Sequence, residues 1–234
     1  VLLIIDDVQA GCGRTGTFFS FEPFGLDPDI ITLSKSISGY GLPMALTLMK
    51  PEVDDWEPGE HNGTFRGHNP AFVTATTALR TYWTDDALQR NIADRAAQLR
   101  ERLEVLAGLA EGSEVRGRGL LAGVAFADHE VAEKIAKAAF ARKLLVETSG
   151  PDSEAVKVMP ALTITEEELA AGLDQRLAGA VLHHELVAVD LGDVALGGDG
   201  ARSLQGGDRR GRHRRHHRGS GLGERQADRA EGEG

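Results

Sequence analysis

Two apolar runs in this chain end on residues that could do chemistry. Val1–Ile5 is an unbroken β-branched and leucine run that closes on Asp6-Asp7-Val8-Gln9, and Ile30–Leu33 closes on Ser34-Lys35-Ser36. Open α/β sheets build their sites at the carboxyl ends of such strands. Read singly, each is also what a solvated strand tip looks like, because Asp is rarely buried unpaired and Lys keeps its ammonium in water. Read together, an acid and a primary amine each close a strand, and each is followed by a Gly-bearing loop. A lysine amine can condense with an aldehyde and later carry a proton, and a nearby carboxylate can keep a heteroaromatic nitrogen protonated. That pair is what pyridoxal 5'-phosphate chemistry requires, and the lysine must be partly desolvated or placed near positive charge to react as the neutral amine.

Other patterns carry less. Gly11-Cys-Gly13-Arg-Thr-Gly16 fits G-x-G-x-x-G after a strand, but the motif should open a helix. Here it runs into Thr17-Phe-Phe-Ser-Phe-Glu-Pro-Phe-Gly25, which Pro23 and Gly25 break. The glycines therefore read as a tight loop rather than a dinucleotide cradle. His61 and His68 stand apart and read as structural or surface residues, and no metal site is expected. The one cysteine, Cys12, excludes an internal disulfide and fits a reducing cytoplasm.

The elements that must position these residues follow from the apolar periodicity. Strands are expected at Val1–Ile5 and Ile30–Leu33, both buried on both faces as in a parallel sheet, and at Ala45–Met49. Asn69-Pro70 starts a helix that continues through Ala71–Trp83. A long amphipathic helix follows from Asp85 to about Leu109, with Leu88, Ile92, Ala96, Leu99, Leu103 and Leu106 on one stripe. Then come strand Leu120–Phe126, helix Glu130–Arg142, strand Leu144–Glu147 and strand Ala155–Met159. A capping box at Thr165–Glu168 opens a helix striped by Leu169, Leu173 and Leu177. The pattern predicts an α/β fold: part of a mostly parallel sheet with helices, then a small α+β domain. Domains are expected at 1–84 and 85–183, with a disordered basic tail at 184–234.

The chain has 234 residues with a formal charge of −10, 41% hydrophobic and 26% charged. That composition excludes collagen-like and wholly disordered chains, and no apolar run approaches a membrane span. No signal peptide is visible. The first residue is Val inside a core strand, so further sequence is expected before it.

Three ordered segments are similar to those of class III, fold-type I aminotransferases. Leu3-Ile-Ile-Asp6-Asp-Val-Gln9-Ala-Gly11-Cys-Gly13-Arg-Thr-Gly16 resembles their signature. Ser34-Lys35-Ser36 with Gly39 and Gly41 resembles their lysine segment, and Asn62-Gly-Thr64-Phe-Arg-Gly67-His-Asn69-Pro70 their later phosphate segment. The resemblance covers about residues 1–174. It implies that Asp6 pairs with the coenzyme's ring nitrogen, Val8 packs on the ring, Gln9 bonds its phenolic oxygen and Lys35 forms the covalent link and transfers the proton. It implies that Thr64 reaches the phosphate held by a neighbouring subunit, in a homodimer or higher homo-oligomer with a shared site. Lys157 falls where many relatives place an Arg for the substrate carboxylate, although a point charge lacks the planar fork. Equally, it reads as a solvated strand residue. Arg66 and Arg118 are weaker carboxylate ligands, and Asp7 is a hydrogen-bonding neighbour.

The wording of Ser36–Ala45 and Glu147–Pro151 is most like members that move the 4-amino group of L-2,4-diaminobutyrate to 2-oxoglutarate in ectoine biosynthesis, by a ping-pong mechanism. Ornithine, acetylornithine and 4-aminobutyrate are the alternative donors. The resemblance also implies that the family's N-terminal half, with its main phosphate loop and stacking ring, is not in this sequence. The 234 residues alone are therefore expected not to transaminate.

The tail is different material. Residues 201–234 carry nine Arg and five acids, or +4, against −14 for residues 1–200. Arg209–Arg218 reads RRGRHRRHHR. This is either a basic nucleic-acid-binding tail or out-of-frame translation, and the abrupt change inside a core helix after Asp174 favours the second. The acidic body argues against general affinity for nucleic acid or anionic membranes.

Overall fold

The computed structural model describes residues 1–177, which carry two sheets. The first has three strands in the order β1-β2-β3: β1 (Ile4–Asp6), β2 (Ile30–Leu33) and β3 (Leu46–Met49). β1 and β2 are parallel, with Asp6 opposite Thr32, and β3 joins β2 antiparallel. Strands β2 and β3 fall where the apolar runs place them. Among the described residues β1 is an edge strand, with Ile4 58% exposed and Leu3 39%. Under this sheet Leu33, Ile37 and Cys12 form a small core with Phe18, Phe19, Ile31, Met44 and Leu46.

Two helices connect the sheets. α1 (Asn69–Tyr82) has Pro70 in its first turn, where the missing N–H costs nothing. α2 (Ala87–Ala107) follows after a short turn. The second sheet has the order β4-β5-β7-β6 and is antiparallel throughout: β4 (Glu114–Arg118), β5 (Leu121–Ala125), β6 (Glu147–Ser149) and β7 (Ala155–Val158). Strand alternation turns Val115, Val124, Val156, Ala122 and Val158 to one face. α2 covers β4 and β5 there, while α3 (His129–Ala141) covers β7 and β6. Ile92, Leu99, Leu103, Val131 and Ile135 complete the main core.

β4 was not expected, because Val115 is the lone bulky apolar residue in Glu114–Arg118. β6 begins at Glu147 rather than Leu144, a shift with a packing cause: Leu144 and Val146 lie against the main core instead of in a ladder. The capping box forms, with the Glu168 amide donating to Thr165 Oγ1 at 3.2 Å and the Thr165 amide to Glu168 Oε2 at 3.1 Å. It opens α4 (Glu166–Ala170), which widens into a π-helical turn over Ala171–Leu177. Leu169, Leu173 and Leu177 are all buried, each contributing about 1.5–3 kcal/mol. The expected tail at 184–234, and the readings of its basic run, lie outside the described residues.

Candidate active site

The geometry starts at the carboxyl ends of β1 and β2. As parallel neighbours these strands lie about 4.8 Å apart. Asp6 is the last residue of β1, and Lys35 comes two residues after β2. Asp6 stands level with Thr32, so the acid and the lysine turn both lie at the carboxyl end of this strand pair. Asp6 Oδ1 accepts from the Val8 amide at 3.1 Å and from Thr32 Oγ1 at 3.3 Å. Its Oδ2 has no partner among the described residues, so one carboxylate oxygen is free to accept from a ligand.

Lys35 opens a short 3-10 turn, Lys35–Ser38, and takes φ +51°, which is unusual for a side-chain-bearing residue. The turn is held on several sides. Ser34 Oγ donates to Met44 O at 2.7 Å, and the buried Ser38 Oγ donates to Lys35 O at 3.3 Å and accepts from the Gly41 amide at 3.1 Å. Gly39 ends the turn at φ +74°, and a Cβ there would lie 2.4 Å from Ala78 Cβ on α1. The helix thus braces the lysine turn from behind. Lys35 itself is exposed, and its amine makes no hydrogen bond among the described residues.

The loop after β1 is built for packing. Residues 10–21 run as turns rather than a helix. A Cβ on Gly11 would meet Asp7 O at 2.9 Å, and one on Gly13 would meet Trp83 at 2.8 Å. These glycines admit neighbours, not a phosphate. Asp7 is buried, accepts from the Ser20 amide at 2.9 Å, and is also hydrogen-bonded by the Ser20 hydroxyl. Burial, with the Asp7 charge beside it, pushes the Cys12 thiol up to about 11.

The structure also joins residues that are remote in sequence. Gln9 and Lys157 line one cavity of about 310 Å³, with Arg116, Gly123, Ser149 and Gly150. Arg116, Gly123, Lys157 and Glu147 form one row across the sheet, so their side chains share a face. Gly123 keeps the middle of that row open. Lys157 pairs with the exposed Glu147 at 3.0 Å, while Arg116 is taken up by Glu114 at 2.7 Å and Glu154 at 2.8 Å.

The remaining candidates lie elsewhere. Thr64 is exposed on the rim of an open depression beside β3, next to the fully exposed Phe65. Arg66 shares a hollow of about 690 Å³ with Ser34, the neighbour of Lys35, and donates to His61 O at 2.7 Å. It does not join Lys157. Arg118 donates to Ser20 O at 2.5 Å and lies over the Phe24 ring. His61 stacks on Trp56. Sequence reasoning passed over Arg14, which is buried between the two sheets; a charged residue flanked by glycines in an apolar loop was the available signal. Among the described residues no group of His, Cys, Asp and Glu could hold a metal, and no helix is long and apolar enough to cross a membrane.

The residues at this edge fit a pyridine-ring coenzyme. A carboxylate with one open oxygen and an amine that makes no hydrogen bond among the described residues are groups such a ring needs. The comparisons with known proteins agree with that chemistry. The family model described as aminotransferase class-III matches residues 1–180. A diaminobutyrate–2-oxoglutarate transaminase of Streptomyces avermitilis is 60% identical over 184 residues, covering 77% of this chain and 43% of the relative. One of Nocardia farcinica is 56% identical over 197 residues, covering 80% and 45%. The N-acetylornithine aminotransferase structure from Stenotrophomonas maltophilia is 32% identical with a TM-score of 0.64, over 78% of this chain and 47% of that one. An ornithine aminotransferase structure from Toxoplasma gondii is 30% identical with a TM-score of 0.70, over 79% and 43%. The chain spans less than half the length of the curated relatives it matches, and the architecture is that of fold-type I aminotransferases. On these motifs, this geometry and this match, the chain belongs to the class-III aminotransferase family.

Proposed function

We propose that this chain carries the lysine and substrate-carboxylate side of a pyridoxal-phosphate-dependent transaminase. It would move the 4-amino group of L-2,4-diaminobutyrate to 2-oxoglutarate, forming L-aspartate 4-semialdehyde and L-glutamate in cytoplasmic ectoine biosynthesis. One observation carries this reading: Asp6 ends β1, and Lys35 opens the turn just after β2, at the same end of two adjacent parallel strands. The curated relatives, at 54–60% identity and named for diaminobutyrate, favour that donor. Ornithine, acetylornithine and 4-aminobutyrate stay as the alternative donors, because the solved neighbours named for ornithine and acetylornithine share this fold at about half that identity.

Each residue then has a task. Asp6, through its open oxygen, holds the proton on the ring nitrogen. Val8 packs against the ring and Gln9 donates to its phenolic oxygen. When bound, the coenzyme supplies an aldehyde for the donor's amine and a ring that takes up the electrons of the broken C–H bond. Lys35 Nζ takes the proton from that carbon and returns it on the other side of the transfer. Lys157, across the cavity from Gln9, binds the substrate's α-carboxylate, and Arg66 is a second carboxylate contact near the lysine turn. Thr64, exposed on the outer rim, reaches the phosphate held by a second copy, so the site is shared within a homodimer or larger assembly.

The test is to produce the chain together with the part of the Streptomyces avermitilis relative that it does not cover, add coenzyme, and measure glutamate from a panel of donors. Diaminobutyrate should lead, Lys35→Ala should form none, and the 234 residues alone should form none. Preference for ornithine or 4-aminobutyrate overturns the substrate; turnover by Lys35→Ala overturns the mechanism.

A further inference from the structure

Arg14 is 9% exposed and has no carboxylate partner among the described residues. Its guanidinium instead donates through Nη1 to two main-chain carbonyls, Pro160 O at 2.5 Å and Leu120 O at 3.3 Å. Its own carbonyl accepts from the Leu120 amide at 2.9 Å. Gly119 lets the two backbones meet, since a Cβ there would lie 2.6 Å from Arg14 O. Desolvation lowers the guanidinium's affinity for its proton, yet Arg stays charged at any working pH. Burying a charge costs least where it is hydrogen-bonded, and here both bonds are made by Nη1.

The three segments it ties are those that bound the Gln9–Lys157 cavity. Arg14 lies five residues after Gln9. Leu120 precedes Leu121, which lines the cavity, and Pro160 lies three residues after Lys157. Arg118 adds a second tie, to Ser20 O, and Ser20 is held in turn by Asp7. The coenzyme side and the carboxylate side of the site come from different sheets, and Arg14 bonds the loop of the first to two turns of the second.

We infer that Arg14 is a positioning residue: its two-carbonyl clasp sets the distance between Gln9 and Lys157, and so the substrate length that the cavity accepts. The inference rests on the reading of that cavity as the carboxylate side of the site. Both bonds leave the one terminal nitrogen, Nη1; a lysine at position 14 keeps the charge, but its side chain ends one bond short of that nitrogen.

The test uses the 234-residue chain, with Arg14→Lys, Arg14→Ala and Lys157→Met variants. Amide exchange is read at 8–20, 118–122 and 156–161, and binding of 2-oxoglutarate is read by chemical-shift titration. Arg14→Lys should keep its melting temperature but lose protection at all three segments, with 2-oxoglutarate binding weakened about tenfold. Ethylguanidinium, and not ethylammonium, should restore Arg14→Ala. Unchanged protection in both Arg14 variants overturns the clasp. Lost protection with unchanged binding reduces Arg14 to a structural tie and overturns the positioning role. If the variants do not fold, exchange of the unaltered chain in rising denaturant decides: the three segments must open in one step, and separate openings refute the clasp. Binding that survives Lys157→Met sinks the carboxylate reading instead, and leaves the exchange result to judge Arg14.

Discussion

Gly39 and Gly41 make a controlled pair on the loop that carries Lys35. Both have positive φ, +74° and +80°. An alanine at either position pays the left-handed backbone cost of about 1–2 kcal/mol. They differ in surroundings. A Cβ at Gly41 meets nothing within 4 Å, whereas one at Gly39 lies 2.4 Å from Ala78 Cβ and 3.0 Å from Thr74 O. Neither neighbour can yield easily, because Thr74 O is helix backbone and Ala78 has no flexible end. Overpacking of this kind adds about 1–3 kcal/mol. Gly41→Ala should therefore cost about 1–2 kcal/mol and Gly39→Ala roughly 2–5 kcal/mol, as an upper range. For a domain of this size each kcal/mol shifts the melting temperature by about 2–4 °C. Thermal unfolding followed by circular dichroism should place Gly39→Ala several degrees below Gly41→Ala. The second readout is borohydride trapping of pyridoxal phosphate on Lys35, scored by peptide mass. Gly39→Ala should trap less, because α1 can no longer brace the turn. Equal melting temperatures and equal trapping for the two variants would refute the idea that α1 holds the lysine turn through Gly39.

Three further outcomes follow from the same structure. Lys35→Ala should remove the borohydride-trapped coenzyme mass from the peptide containing residue 35, while exposed lysines elsewhere label as before. With its pKa raised to about 11, Cys12 should be only about one part in a thousand thiolate at pH 8, so iodoacetamide should modify it on folding-dependent timescales and rapidly only in denaturant. Asp29 is held below the ordinary carboxylate range, first by the Leu3 amide at 2.8 Å and next by Lys50 at 3.2 Å. A lowered folded-state pKa gives stability that is present above the unfolded value and is lost as pH falls through the folded one. A melting-temperature profile from pH 6 to pH 2 should show that loss in the unaltered chain and a shallower slope in Asp29→Asn.

Much of the fold was legible in the residues. Ile30–Leu33 is bounded by Pro28-Asp29 and Ser34, and becomes β2 without adjustment. Thr165 and Glu168 stand at capping-box spacing, and the box forms. The leucine stripe of α2 is the buried one. These are local signals, since caps, turns and periodicity act within a few residues and need no distant partner. Where distant packing decides, the local reading failed. Leu144 and Val146 have strand-like composition but serve the core under α4, so β6 starts at Glu147.

The site divides the same way. Sequence alone determined the family and singled out the acid and the lysine as candidates, because each lies at or just past the end of its own strand and carries its own flanking motif. Only the tertiary structure decided that Asp6 and the Lys35 turn lie at the same end of the sheet, through the parallel register of β1 and β2. Only it brought Gln9 to one cavity with Lys157, with Gly123 leaving the room between them. It also turned Arg14 from a loop residue into the tie between the sheets. The physical reason is that a cavity is made by surfaces, and the side chains facing across it are selected by pairing and packing over more than a hundred residues of chain, a separation that no local pattern encodes.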